Sequence, residues 1–178
     1  MSDLLAVEKS QVYPWQQEVW QRLTSRFPDV GHGLLLYGKQ GCGKHAFAQH
    51  FLAWVLCLQK QPDGACGRCA SCLWLKSDTH PNYVRISTDD DNKKQNAKIK
   101  IEKIRDLLPF VQQTVDGWRV VLIEPAEALN IASANALLKT LEEPGERVMI
   151  ILLAEHYLKL PATVRSRLQH FALDRMTE

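Results

Sequence analysis

The stretch GLLLYGKQGCGKHAFAQHFLAWVLCL, residues 33–58, constrains the fold more than any other part of the chain. Gly33-Leu-Leu-Leu-Tyr37 is a short apolar run bounded by glycines and reads as a buried strand. FAQHFLAWVLCL, residues 47–58, reads as a helix. Between them, GKQGCGKH meets the pattern G-x-x-x-x-G-K-[ST] at Gly38, Gly43 and Lys44, and misses it at the last place, where His45 stands. A strand, a glycine-rich loop and a helix in that order are the context a phosphate-binding loop requires.

The same alternation continues along the chain. WQQEVWQRLTSRF (15–27) carries Trp15, Val19, Trp20 and Leu23 at helical spacing. Residues 82–86 alternate as a strand, and residues 118–123 and 148–153 read as buried strands. Ile101, Ile104, Leu107, Leu108 and Val111 mark one helical face, and Ile131, Ala134, Leu137, Leu138 and Leu141 mark another, which Glu142-Glu-Pro144 ends. Residues 59–81, with glycine, proline and three cysteines, read as an irregular insert, and the charged stretch 87–98 as an exposed loop. The order strand–helix, repeated, predicts an α/β fold: a mainly parallel sheet sandwiched by helices.

The chain has 178 residues, which suits one domain with a sizeable core. A formal net charge of +2 is too small to argue for nucleic acid by itself. The longest apolar runs, such as VMIILLA at 148–154, are too short to span a bilayer, so no membrane role is expected. MSDLLAVEKSQ has early acids and no cleavage-site pattern, and a cytoplasmic location is the expectation. Disulfides are rare there, so five cysteines need another explanation.

In a working phosphate loop, backbone N–H groups cradle the phosphates of ATP or ADP and the helix N-terminus adds partial positive charge. Gly38, Gly41, Gly43 and Lys44 can supply that grip. The Ser/Thr that normally follows binds Mg²⁺. His45 has no hydroxyl, and imidazole suits softer ions. Hydrolysis also needs an Asp ending a later strand, often with a Glu beside it. Here the strand Val120–Ile123 ends in Glu124-Pro125-Ala126-Glu127: Glu124 is one methylene longer, and Pro125 does no acid–base chemistry. Two independent departures, His45 and Pro125, argue against hydrolysis by this chain alone. The bland alternatives are a glycine turn that binds nothing and two glutamates that merely end a strand.

Cys57, Cys66, Cys69 and Cys72 read C-x8-C-x2-C-x2-C. Short C-x2-C steps turn successive thiolates onto one ion, and four of them close a tetrahedral structural Zn²⁺ site with no place for a catalytic water. Such an ion would order the insert, which holds few apolar residues of its own. Cys42, inside the phosphate loop, reads as a small filler, and His80 as a capping or packing residue rather than a ligand.

The phosphate loop, the four-cysteine insert, THPNY (79–83), NALLKTLEEP (135–144) and LPATVRSRL (160–168) together resemble the subunits of the bacterial DNA polymerase III clamp loader, over roughly residues 13–173. The resemblance implies an AAA+ P-loop fold with a zinc insert at about 57–79. Of the two subunit types with that insert, gamma/tau keeps intact nucleotide motifs. Delta-prime, with degenerate motifs and a segment like Tyr13-Pro14-Trp15, is the more similar. Ala154-Glu155-His156 does not supply the family's first sensor residue. The family's Ser-Arg-Cys motif reads Ser166-Arg167-Leu168 here. Its arginine is a finger that stabilises charge in a neighbour's site. The resemblance therefore implies an accessory subunit of the DNA-directed DNA polymerase III holoenzyme. Arg167 would complete an adjacent gamma/tau ATP site, beside delta, to load a sliding clamp on primed DNA. No polymerisation by this chain alone is expected.

The family normally continues into a helical lid and a collar that forms a pentamer. The expectation for residues 1–178 is an N-terminal portion lacking both, impaired in assembly. The competing expectations are an active ATPase of the gamma/tau type, and a zinc-bearing DNA-binding module using Lys93, Lys94, Lys98, Lys100 and Lys103, beside which Asp89-Asp-Asp91 stands.

Overall fold

The computed structural model of the chain describes residues 12–88 and 97–174. Its strands are β1 (Gly33–Tyr37), β2 (Tyr83–Ile86), β3 (Arg119–Ile123), β4 (Val148–Ala154) and β5 (Gln169–Ala172). They form one sheet in the order β2–β3–β4–β1–β5, every neighbouring pair parallel. The helices are α1 (Gln17–Arg26), α2 (Lys44–Leu56), α3 (Ala70–Lys76), α4 (Ile101–Arg105), α5 (Leu107–Gln112), α6 (Ile131–Glu142) and α7 (Ala162–Arg165).

Residues alternate between faces along each central strand. Leu34, Leu36, Val120, Leu122, Met149, Ile151 and Leu153 enter a core with Leu23 of α1 and with Phe47 and Phe51 of α2. Leu35, Val121, Ile123, Ile150 and Leu152 enter a second core with Ile104, Leu137 and Val164. Burial on both faces is why β4, and β3 after Arg119, read as unbroken apolar runs. The order also separates β1 from β2 by two strands. Chain direction around the sheet thus reverses beside β1, and the carboxyl end of a sheet at such a switch point is where ligands bind.

Three local expectations change. Insert 59–81 is not irregular throughout: it contains α3, whose first turn is capped by Cys69 sulfur accepting from Cys72 N–H. The predicted single helix over 101–111 is two, broken at Asp106. Pro109 explains the break, since its ring crowds the carbonyl four residues back, that of Arg105, while it is tolerated in a first turn. Strand β5 was not foreseen. It is four residues long with only Phe171 buried, too short and too mixed for its period to show. Residues 89–96, with Asp89–Asp91, Lys93 and Lys94 of the charged stretch, lie outside the described residues. Among the described residues, no helix is long and apolar enough to cross a membrane.

Candidate functional site

The phosphate loop leaves β1 and enters α2 through Gly43, whose φ of +88° is costly for any residue with a side chain. Space is closed there as well, because a Cβ on Gly43 would lie 2.7 Å from the Tyr13 ring. Tyr13 stacks on Trp15 at 4.6 Å between ring centroids. The next residue, Gln16, is fully buried, and its Nε2 donates to the Cys42 carbonyl at 3.0 Å. The segment 13–16 therefore braces the loop from outside. The sequence marked its aromatic residues but not this contact.

The groups that would meet phosphate are engaged within the chain. Lys44 Nζ donates to the carbonyls of Gly38 and Lys39 at 2.8 and 3.1 Å. Lys39 N–H donates to the Asp174 carboxylate at 2.5 Å, so a side-chain anion occupies one backbone donor of the cradle. Cys42 is buried beside Gly38, consistent with a filler. A cleft of about 1410 Å³ opens beside His45 and Arg85, walled by Gln49, His50 and Tyr83, but none of residues 38–44 lines it.

His45 and Glu124 meet, 79 positions apart in sequence. His45 Nδ1 lies 2.9 Å from Glu124 Oε2, and Arg85 Nε donates to Glu124 Oε1 at 2.6 Å. Strand pairing explains the third member: β2 runs beside β3 with Arg85 opposite Leu122, which brings Arg85 to the end of β3. Both oxygens of the carboxylate that follows β3 thus face nitrogen donors. Burial alone would raise the Glu124 pKa. The hydrogen bonds and charges of His45 and Arg85 outweigh it and hold the carboxyl below the ordinary carboxylate range. Its contribution to stability is therefore full above the ordinary value of 4.5 and is lost as pH falls through the lower folded value. Glu124→Gln is expected to lower the urea midpoint near pH 7 and to change it little at about pH 3. An equal deficit at both would show that the carboxylate charge is not what the cluster uses.

Glu127 takes a separate role. Its Oε2 accepts from the N–H groups of Glu155 and His156 at 3.2 and 3.4 Å, tying the loop after β4 to the end of β3. That loop, with Ala154-Glu155-His156, is where the family's first sensor residue is expected.

The four cysteines converge: the Sγ atoms of Cys57, Cys66, Cys69 and Cys72 all lie within 4.8 Å of one another. The Cys57–Cys69 and Cys66–Cys72 separations are both 3.9 Å. A tetrahedron with metal–sulfur bonds of about 2.3 Å has sulfur edges of roughly 3.8 Å, so the cluster could hold a metal ion. Backbone N–H groups already point at the sulfurs. Gln59 and Cys66 donate to Cys57, Arg68 and Cys69 to Cys66, and Cys72 to Cys69. Such donors favour thiolates. Those from Arg68 and Cys69 hold the Cys66 thiol below its usual range. At Cys69, burial opposes the donors and loses, leaving the pKa at about 6. Burial pushes Cys57 up, and Cys72 up to about 12, the direction a bound cation would reverse. His80 is outside the cluster. It lies 2.8 Å from Ser71 Oγ and accepts from Asn82 N–H, joining α3 to the approach to β2.

Arg167 is exposed, two residues past α7, and pairs with Glu142 at 2.7 Å. Leu168, at the position expected to be cysteine, is buried in the second core against Gly33, where a Cβ would lie 2.7 Å from it. A buried apolar side chain thus holds the segment that carries Arg167. Arg165 turns inward, its Nε donating to the Leu160 carbonyl.

Residues 15–177 match the family described as "DNA polymerase III, delta subunit". The chain is 42% identical over 158 residues to DNA polymerase III subunit delta' of Pseudomonas aeruginosa, covering 88% of this chain and 47% of that protein. It is 34% identical over 146 residues to subunit tau of Bacillus subtilis, covering 82% of this chain and 25% of that one. It thus spans about half the length of the delta' relative. Among solved structures, a DNA polymerase III gamma subunit-related protein of Thermotoga maritima superposes with a TM-score of 0.56 at 19% identity, covering 88% of this chain and 45% of that one. That likeness concerns the fold.

Proposed function

This chain belongs to the DNA polymerase III delta-subunit family, and on that footing we propose that it is an accessory, delta-prime-type clamp-loader subunit that hydrolyses no ATP itself. It would lend Arg167 to the ATP site of a neighbouring gamma/tau subunit. With delta, the assembly would open a sliding clamp and place it on primed DNA, contacting mainly the phosphate backbone. The observation that carries the first half is the cluster at Glu124. His45 and Arg85 hold both carboxylate oxygens at 2.9 and 2.6 Å, where hydrolysis would need Mg²⁺. Exposure of Arg167 supports the second half, and Arg165, bound to its own loop, is the poorer choice. The ion in the cysteine cluster is proposed to be Zn²⁺, because four thiolates select a soft, tetrahedral, redox-inert cation.

The test is Lys44→Ala in the full-length chain, assembled with gamma/tau and delta subunits. Clamp-stimulated ATP turnover is expected to stay within about twofold of wild type, because a cradle that seats no Mg²⁺ contributes no chemistry. Steady hydrolysis by the purified full-length chain, abolished by Lys44→Ala, would instead establish the gamma/tau-type ATPase reading.

A further inference from the structure

Arg167 is partly exposed, with 37% of its side chain open to solvent, yet one side of it is already engaged. Its Nε and Nη2 converge on Glu142 Oε1 at 2.8 and 2.7 Å, and Nη1 donates to the Thr163 carbonyl at 2.8 Å. A guanidinium carries five N–H donors in a rigid fork. With those three committed, one remains on each terminal nitrogen, the one on Nη1 meeting only the Ser166 hydroxyl at 3.5 Å, a long contact that a phosphate oxygen can displace. Those two are the donors with which arginine grips a phosphate bidentately.

Glu142 is the last residue of α6, and Arg167 follows α7. Their neighbours Leu141, Val164 and Leu168 share one core, so the carboxylate and the arginine backbone stand on the same rigid support. The pair is half-exposed, and such a pair adds little to stability. Its effect is on placement. A free arginine side chain carries about 2 kcal/mol of rotamer entropy that must be lost each time it reaches a phosphate. An arginine held on one edge has already lost much of that freedom.

The geometry points to Glu142 as a positioning residue for Arg167, one that holds the guanidinium by its inner edge and leaves two N–H groups for the phosphate of a neighbour's ATP. This rests on the reading of Arg167 as a finger. The experiment uses the full-length chain in complex with gamma/tau, delta and clamp, with turnover measured across ATP concentration. The proteins compared are wild type, Glu142→Ala, Arg167→Ala and the double variant. Glu142→Ala is expected to lower kcat roughly 3- to 30-fold with KM little changed. Glu142→Gln, which keeps an accepting oxygen and loses the charge, should fall between Glu142→Ala and wild type. The double variant should be no slower than Arg167→Ala, because Glu142 acts through the arginine. An unchanged or raised kcat for Glu142→Ala overturns the positioning role and leaves the finger standing. So does a double variant slowed by the full product of the two single effects. An Arg167→Ala complex as fast as wild type removes the finger, and the role of Glu142 with it.

Discussion

Arg167→Ala, placed in the full-length chain and assembled with gamma/tau and delta, is expected to slow ATP hydrolysis at the adjoining gamma/tau site by about 10³-fold or more. That corresponds to about 4 kcal/mol of lost transition-state stabilisation. A finger acts on charge that develops during phosphoryl transfer, so kcat should fall while ATP affinity hardly moves. Arg167→Lys should rescue little, since an ammonium is a point charge without the planar fork. The loss should not be a folding defect. Arg167 sits on the surface and its ion pair with Glu142 is half-exposed, so its removal should change stability by about 1 kcal/mol or less. Arg165→Ala is the control, because that side chain serves the Leu160 carbonyl. Full clamp-stimulated turnover by the Arg167→Ala complex would sink the finger role.

The second large effect concerns the cysteine cluster. Metal analysis is expected to find one zinc per chain, and chelation or Cys69→Ser should unfold the insert over about 57–79. Between residues 58 and 80 only Gly64, Ser71 and Cys72 are buried, while Leu58, Leu73 and Trp74 face solvent. The segment therefore has almost no apolar core, and an ion bound with an apparent 10–16 kcal/mol, as in zinc-finger peptides, would be what orders it. The damage should reach the main core through two indoles. Trp20 Nε1 donates to the Pro62 carbonyl at 3.2 Å and Trp54 Nε1 to the Gln61 carbonyl at 2.8 Å. Each stripped indole donor costs about 1–3 kcal/mol if left buried and unpaired. The predicted readouts are a lower melting temperature, new protease cleavage within 58–70, and a change in tryptophan fluorescence. Affinity should weaken at acid pH, because the ligands must be thiolates. A chain that carries no metal when purified without chelator, or whose insert resists protease after Cys69→Ser, would refute the structural ion.

These two expectations drew on the sequence to different extents. The cysteine spacing C-x8-C-x2-C-x2-C already prescribed the convergence that the sulfurs show, because adjacent ligands need only a local turn. The helix that carries Cys72 was not foreseen. Its apolar residues Leu73 and Trp74 face outward, so its period does not report a buried face. At the phosphate loop, the sequence revealed what was missing, a hydroxyl at position 45 and an acid at 125. It could not reveal what had taken over. Nor did it show Asp174 on the Lys39 N–H, a contact across 135 positions.

The sequence alone determined the parallel α/β sheet, since runs such as Val148–Ala154 are buried on both faces and periodicity is a local property. It also determined the phosphate loop's place after β1, the cysteine quartet, and the two departures from a hydrolysing site. Only the tertiary structure decided that Arg85 joins His45 on Glu124, because that depends on β2 lying beside β3 in one register. Only it decided that Glu142 holds Arg167, because that depends on α6 and α7 sharing one core. Side chains far apart in sequence meet according to strand order and packing, which no local pattern encodes. The charges that define this site meet in just that way.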